Sequence, residues 1–535
     1  LLWLAGAMVI GGVLRFWFLN RIAIEHFDEG VYASNFWFGE AEGYEYPARF
    51  LYAPPLLPIA IEWTMILASL VGVQPTGWIP VLPCLLAGLA MIPSIWWISR
   101  RWFGPVAGTV SAWLVATSDF HASYSRAALT DVPVCLLILW GIYFTWASVQ
   151  TPSKRNVLLA GLFTGLAWST KYNGWFPIAV GLSGGIAAAL FSKAADNPGL
   201  AGMAKRWFMV ACASSLVWSP VLLGLQQHGG YQVVAANHRQ YVGSIGDWGS
   251  TAIRQLRNIG VYDNLIPMAT DPLISIAATW QQILGGITPL LLLAASFAGL
   301  GFWIWRRRAS WEQASAGWFA LAWVCGLTVA TPFYHPYPRL VLPWLTAVWI
   351  GVAVATQLLA ERTAGTTPQG TKTPDWCRAA FAVWLTLVTI THGWTGTLHC
   401  WQDRTELVKS VGLLATAIKT QTRNAGYPED EAIVYVYGNP PIVFGLKSNG
   451  LSLVGPIQNL DFLKTPRVRP TFLIRTDRTP LPREFLEQWA AHESELVRFE
   501  NLPTRVSRLV QLDDRRRTDV GPAGSGETIE AYLVR

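Results

Sequence analysis

Apolar runs of bilayer-spanning length recur from one end of this chain to the other. Residues 1–19, 78–98, 132–149, 207–225, 283–305, 340–354 and 379–390 carry at most one charge each. A helix needs about 20 apolar residues to cross the hydrocarbon core, and in lipid only helices or closed barrels satisfy their own backbone. These runs do not alternate polar with apolar residues, which excludes barrel strands. Charged residues make up only 14% of the 535 positions, against about 25% in soluble chains. The class that follows is mainly α, a polytopic membrane protein. Its 29 Trp suit aromatic belts at the two interfaces. The net charge of +7 is dispersed in short clusters between the runs, which is not the pattern of a nucleic-acid surface.

Those clusters set the threading, because Lys and Arg in short loops favour the cytoplasmic side. They are Arg100-Arg101, Lys154-Arg155, Lys193 with Lys205-Arg206, Arg306-Arg307-Arg308, and Arg362 with Lys372 and Arg378. Placing all five inside requires two crossings between neighbours. Spans at 1–19, 78–99, 103–118, 132–149, 156–170, 174–192, 207–225, 283–305, 316–332, 339–358 and 378–398 meet this condition. The count is about 11 transmembrane helices with the N-terminus inside. Residues 55–73 then lie along the outer interface, because Glu62 near their middle is costly in the bilayer. The chain begins at Leu1 with no small-residue cleavage site after its first run; a start upstream is expected, and not a cleaved signal peptide.

The outer face collects 20–77, 118–131, 171–174, 226–272 and 335–339. From residue 399 the composition changes. A helical pattern over 406–422 closes at Asn424-Ala425-Gly426, strand-like runs follow at 432–437, 442–446, 451–454 and 471–474, then a helix at 482–492 and strands at 505–511 and 530–534. Residues 399–535 are expected to form a small extracytoplasmic α/β domain behind a transmembrane domain of residues 1–398. Of the six Cys, Cys377 and Cys400 flank the last span, about 35 Å apart on a helix, too far for a mutual disulfide.

The outer loops also hold the charges that break the charge-bias rule. Arg126 lies in Ser125-Arg126-Ala127-Ala128-Leu129-Thr130-Asp131-Val132-Pro133, Lys171 in Thr170-Lys171-Tyr172-Asn173-Gly174, and Arg339 follows His335-Pro336-Tyr337-Pro338. Cations at the outer boundary suit a lipid phosphate; they equally suit snorkelling to headgroups. Asp28 and Glu29, just past the first span, read either as caps of a short helix near Gly30 or as a base for an acceptor hydroxyl. Asp131 reads as a helix start, as a partner for Arg126, or as a site residue. His26, His121, His228, His238 and His335 could assemble a metal site with Asp28 or Asp119, but no pair has tight ligand spacing. Neither a metal nor another cofactor is expected.

The motif series resembles a known family. Arg15 followed by Asp28-Glu29-Gly30-Val31-Tyr32 is similar to the first-loop acidic motif of GT-C membrane glycosyltransferases, in the branch of protein O-mannosyltransferases and aminoarabinose lipid A transferases. The 125–133 segment resembles that group's second-loop motif. Tyr337-Pro338-Arg339-Leu340-Val341-Leu342-Pro343 resembles its late Arg-Tyr-Leu-Leu-Pro region, with Leu340 where an aromatic is usual. The resemblance implies a GT-C fold in the cytoplasmic membrane, with interfacial helices in the first outer loop. It also implies inverting transfer of a sugar from a polyprenyl-phosphate donor to a protein, lipid or glycan acceptor on the extracytoplasmic face. Asp28 is then the base, with Glu29 and Asp131 orienting it or the substrate, while Arg126, Lys171, Arg339, Tyr32 and His335 line the substrate and phosphate site. One position departs from the pattern. Where the group often has Lys or His before Pro-Pro-Leu, this chain reads Tyr52-Ala53-Pro54-Pro55-Leu56, so Lys171 or Arg126 would supply that charge. The competing class is a transporter or flippase for lipid-linked sugars. It would favour internal repeats and mid-membrane charges, whereas here the charges gather at the outer boundary.

Overall fold

The structure, a computed structural model, describes residues 1–34, 46–74, 76–151, 153–262, 272–364, 399–477, 479, 481–507, 509–510 and 525–535. Ten of the expected spans are helices: α1 (Leu2–Phe16), α4 (Leu82–Phe103), α5 (Pro105–Thr117), α7 (Asp131–Gln150), α8 (Lys154–Thr170), α9 (Phe176–Phe191), α10 (Gly199–Gln226), α13 (Pro272–Arg307), α14 (Trp311–Ala330) and α15 (Leu342–Ala364). The eleventh, 378–398, lies outside the described residues, as does Cys377. Among the described residues, six helical stretches are long and apolar enough to cross a membrane: Ile79–Phe103, Asp131–Gln150, Gly199–Gln226, Pro289–Arg307, Trp311–Phe333 and Pro338–Arg362. The protein is a mainly helical, multi-pass membrane protein. Residues 55–73 form α3 (Leu56–Leu70), which buries Leu57, Ile61 and Met65 and exposes Ile59, Trp63 and Leu67. An exposed apolar stripe of that kind suits contact with acyl chains.

The helices turn back on one another sharply. Gly104 alone separates α4 from α5, at φ 111°, and Pro105 starts the second helix, where a missing N–H costs nothing. Gln357 Oε1 accepts from Val106 and Ala107 N–H at 3.0 and 3.3 Å, capping that helix from α15. The basic loops meet at this same end: Arg307 pairs with Glu361 at 3.1 Å, Arg101 pairs with Glu312, and Lys193 N–H donates to Arg308 O at 2.9 Å. Elsewhere small residues let helices approach closely. On α8, a Cβ added to Gly161 would lie 2.4 Å from Ala213 Cβ of α10, and one on Gly165 equally near Val217 Cβ. Gly161→Val should therefore force α8 and α10 apart at a cost of about 1–3 kcal/mol. A lowered thermal midpoint in detergent would show this, and an unchanged midpoint would contradict it.

Several shorter elements lie at the other end. They are α2 (Phe27–Ala33), α6 (Asp119–Ser125), α11 (Tyr231–Arg239) and α12 (Trp248–Tyr262). Beyond them, the chain from residue 399 builds α16 (Glu406–Asn424), α17 (Pro440–Ser448), α18 (Arg483–Ala491) and strands β1 (Ile433–Tyr437), β2 (Val454–Ile457), β3 (Thr471–Thr476), β4 (Leu496–Val506) and β5 (Ser525–Val534). The strand order is β2-β1-β3-β5-β4, parallel through β2, β1 and β3 and antiparallel at β5 and β4. Helices α16 and α17 cover one face with Leu414, Ile418, Ile442 and Leu446, and α18 covers the other with Phe485.

Three sequence expectations in this tail are corrected, the first being the strand expected at 451–454, which runs Val454–Ile457. Residues 442–446 are helical, not a strand: Asn439 caps the helix by accepting from Ile442 N–H, and Pro440 and Pro441 occupy its first turn, which outweighs the β-branched Ile442 and Val443. The strand expected at 505–511 lies earlier, at Leu496–Val506.

Candidate active site

Four charged side chains from four separate segments meet at one end of the helices. Arg339 lies in the 3-10 turn Pro338–Val341 leading into α15, and its guanidinium pairs with Asp28 at 2.7 Å and with Asp131 at 3.9 Å. Lys171, in the link between α8 and α9, pairs with the other oxygen of Asp131. The order is thus Asp28, Arg339, Asp131, Lys171. The side chains of Asp28, Arg339 and Lys171 remain 17%, 11% and 20% exposed, whereas that of Asp131 is 1% exposed. Solvent can reach Asp28 and both cations, with Asp131 clamped behind them.

Asp28 owes its position to the capping of α2. The His26 ring accepts from Asp28 N–H at 3.1 Å, and the Glu29 carboxylate accepts from His26 N–H at 2.9 Å, a capping box. Burial by itself raises the pKa of the Asp28 carboxyl; the Arg339 guanidinium, then His26 and Lys171, more than offset this and hold it below the usual carboxylate range. Tyr32, one turn on, is 1% exposed. Burial first, and next the charge of Asp28, push its phenol well above the ordinary value, so it stays protonated. Arg339 also lies over the Tyr337 ring at 5.5 Å. The His335 ring meets Tyr337 at 4.5 Å, and its backbone N–H donates to Tyr241 O at 2.8 Å, fastening the 226–262 segment beside the site.

Two residues of the expected set lie elsewhere. Glu29 is fully buried and faces away from Arg339; it accepts from the N–H groups of Glu25, His26 and Ala128 and pairs with Arg404. Arg126 is 1% exposed, and its guanidinium donates to the carbonyls of Arg15, Trp17 and Phe18 at 2.7, 2.7 and 2.9 Å. It binds the end of α1, and Asp131 takes Lys171 and Arg339 in its place. A second cluster, sealed from solvent, was not legible beforehand: Arg404 Nε donates to Glu25 Oε1 at 2.7 Å, its other nitrogens reach Glu29 and, at 2.6 Å, Arg126 O, and Ser507 N–H donates to Glu25 at 3.2 Å. The Glu25-x-x-x-Glu29 spacing, which lets two carboxylates share one cation, was its sequence signal. Among the described residues no three His, Cys, Asp or Glu side chains are grouped to hold a metal.

Comparison with known proteins bears on this geometry. Residues 54–222 match the sequence profile of the dolichyl-phosphate-mannose-protein mannosyltransferase family. Among solved structures, ArnT from Cupriavidus metallidurans bound to undecaprenyl phosphate aligns over 99% of this chain and 97% of its own, at 15% identity and a TM-score of 0.57. The oligosaccharyltransferase of Archaeoglobus fulgidus, tethered to an acceptor peptide, aligns over 85% of this chain at 12% identity and a TM-score of 0.54. This is a GT-C fold. The chain spans 63% of that archaeal enzyme's length. A second structure of the archaeal protein, AglB, in complex with an inhibitory peptide and a dolichol-phosphate, gives 11% identity, coverages of 88% and 69%, and a TM-score of 0.52. Comparison with curated protein sequences gives no match.

Proposed function

We propose that the protein is an inverting glycosyltransferase that moves a sugar from a polyprenyl-phosphate carrier to an acceptor on the extracytoplasmic face of the membrane. The observation that carries this reading is the open row Asp28, Arg339, Asp131, Lys171. An inverting displacement needs one base on the attacking side and cations for the leaving phosphate. The Asp28 carboxylate takes the proton of the acceptor hydroxyl as its oxygen attacks the anomeric carbon. The bond from that carbon to the phosphate oxygen breaks, and the carrier phosphate leaves with the electron pair toward Arg339 and Lys171. Asp131 holds both cations in place, and Tyr32, buried and protonated beside Asp28, does not compete for the proton.

This assigns the role of the missing basic residue before Pro54 to Lys171 and Arg339. It makes Glu29 and Arg126 framework residues, and His335 a support for the Tyr337 and Arg339 turn. The binding of undecaprenyl phosphate by ArnT and of a dolichol-phosphate by AglB, on the same fold, supports a lipid-linked donor here. The profile match favours a mannosyl-type hexose and a protein acceptor.

The test is the purified full chain in proteoliposomes, supplied with polyprenyl-phosphate sugars and an envelope extract of acceptors. Covalent transfer with inverted anomeric configuration is expected. Movement of the donor across the bilayer with no covalent product would overturn the reading.

A further inference from the structure

The tail beyond residue 399 reaches the first outer loop at three points, all within residues 25–30, on the seven-residue helix α2 or just ahead of it. The first is Arg404, whose side chain is 7% exposed. Its planar fork joins Glu25 on one side of Asp28, Glu29 on the other, and the carbonyl of Arg126. Three donors in fixed relative directions tie two carboxylates and a carbonyl together, which a lysine's single ammonium cannot reproduce. Burial alone would favour loss of the Arg404 charge, but Glu29 and Glu25 more than offset it. The second is Ser507, just past β4, which donates to Glu25 through both N–H and Oγ. The third is the first turn of α17. A Cβ on Gly30 would lie 2.3 Å from Pro441 N and 2.5 Å from the carbonyl carbon of Pro440, so the two backbones touch with no room for any side chain.

The tail is itself anchored where these contacts begin. His399 and Cys400 N–H donate to Asp119 at 3.1 and 2.9 Å, Trp401 Nε1 donates to Leu14 O at 3.2 Å, and Arg404 N–H donates to Arg21 O at 3.0 Å. Phe444 and Leu509 of the tail join the core of the helical part. A seven-residue helix is too short to hold its own shape in water, so α2 depends on such neighbours. The positions they grip, 25, 29 and 30, bracket Asp28, whose carboxylate points the other way, to Arg339.

We propose that the tail is a positioning brace for Asp28: Arg404 through Glu25 and Glu29, and Pro440-Pro441 through Gly30, fix α2 and so aim the carboxylate at the acceptor. The brace rests on the reading of Asp28 as the base. A displacement of about 1 Å at a reacting group costs on the order of 10²-fold in rate. Because Arg339 and Lys171 hang from other elements, the phosphate site is spared.

The test compares wild type, Arg404→Gln, Arg404→Lys, Gly30→Ala and the exposed tail variant Arg483→Ala, each as the full chain. Hydrogen exchange of the 24–34 peptide is read against the rest of the protein, and undecaprenyl phosphate binding and donor turnover are measured alongside. In Arg404→Gln and Gly30→Ala we expect lost protection confined to 24–34, kcat lower by about 10²-fold, and donor KM and undecaprenyl phosphate affinity within about threefold. Arg404→Lys recovers part of kcat, and Arg483→Ala matches wild type. Unchanged exchange at 24–34, or a loss of protection spread over the whole chain in step with kcat, overturns the brace. Should wild type itself transfer no sugar, the transferase reading fails, while the exchange arm still decides whether the tail holds α2.

Discussion

Asp28→Asn is expected to lower sugar transfer by about 10²–10⁴-fold, the range that general-base catalysis supplies, while the protein stays folded and still binds the lipid phosphate. The amide keeps the size of the carboxylate and loses its charge and basicity. What it leaves behind is Arg339, which still has Asp131 at 3.9 Å and the Tyr337 ring at 5.5 Å. The pair is largely buried, so removing one charge costs more than at the surface, but Asp131 still faces the guanidinium, and the thermal midpoint should fall with the protein still folded. The capping of α2 uses His26 and Glu29 and not the Asp28 side chain, so the helix is kept as well. Affinity for undecaprenyl phosphate should hold or rise, because a carboxylate no longer competes with phosphate for the guanidinium. Retained kcat in this variant would remove Asp28 from the chemistry. Lost lipid binding would mean that Asp28 organises the phosphate site and is not simply the base.

The neighbouring residue shows how far a sequence can be read. Asp28 and Glu29 are adjacent carboxylates in one motif, and nothing local separates them. On a helix, consecutive residues point about 100° apart, so one faces the open row and the other faces inward. Which is which depends on Arg404, 375 positions away, and on a loop N–H at Ala128. The helix starts were legible only in part: Thr130-Asp131 does begin α7, without a side-chain cap from Thr130, whereas the helix expected near Gly30 begins at Phe27, is capped by His26, and carries the acids at 28–29 in its first turn. The six long apolar helices were legible because apolar length is a property of the sequence itself. The grouping of Lys171, Asp131 and Arg339 followed from placing their loops on one side. Arg126 shared that side and the same chemistry. Its burial against the carbonyls at the end of α1 comes from how α1 packs on α6, which no spacing announces.

Arg339→Gln should have two separable effects, and their sign follows from the balance at Asp28. In the native protein, burial pushes that carboxyl up and Arg339 is the largest influence pulling it down, ahead of His26 and Lys171. The carboxylate is therefore ionised above a pKa lying below the usual value near 3.9. The acid limb of kcat/KM should fall below that value, and activity should be lost only as pH drops through it. The same depressed pKa adds stability that is present above the unfolded-state value and is lost as pH falls through the folded one. Glutamine removes the main downward influence and leaves burial opposed only by His26 and Lys171, so the acid limb moves up. Separately, the loss of one charge-assisted contact to the leaving phosphate, about 1.5–3 kcal/mol, should raise donor KM or lower kcat/KM by about 10–150-fold. A variant that loses affinity with no movement of the acid limb would show that the group titrating in turnover is not Asp28. Movement of the limb with donor affinity unchanged would assign the phosphate to Lys171 alone. Among the described residues Arg339 is the one whose ion pairs reach both carboxylates of the row, so its replacement is expected to move both measurements at once.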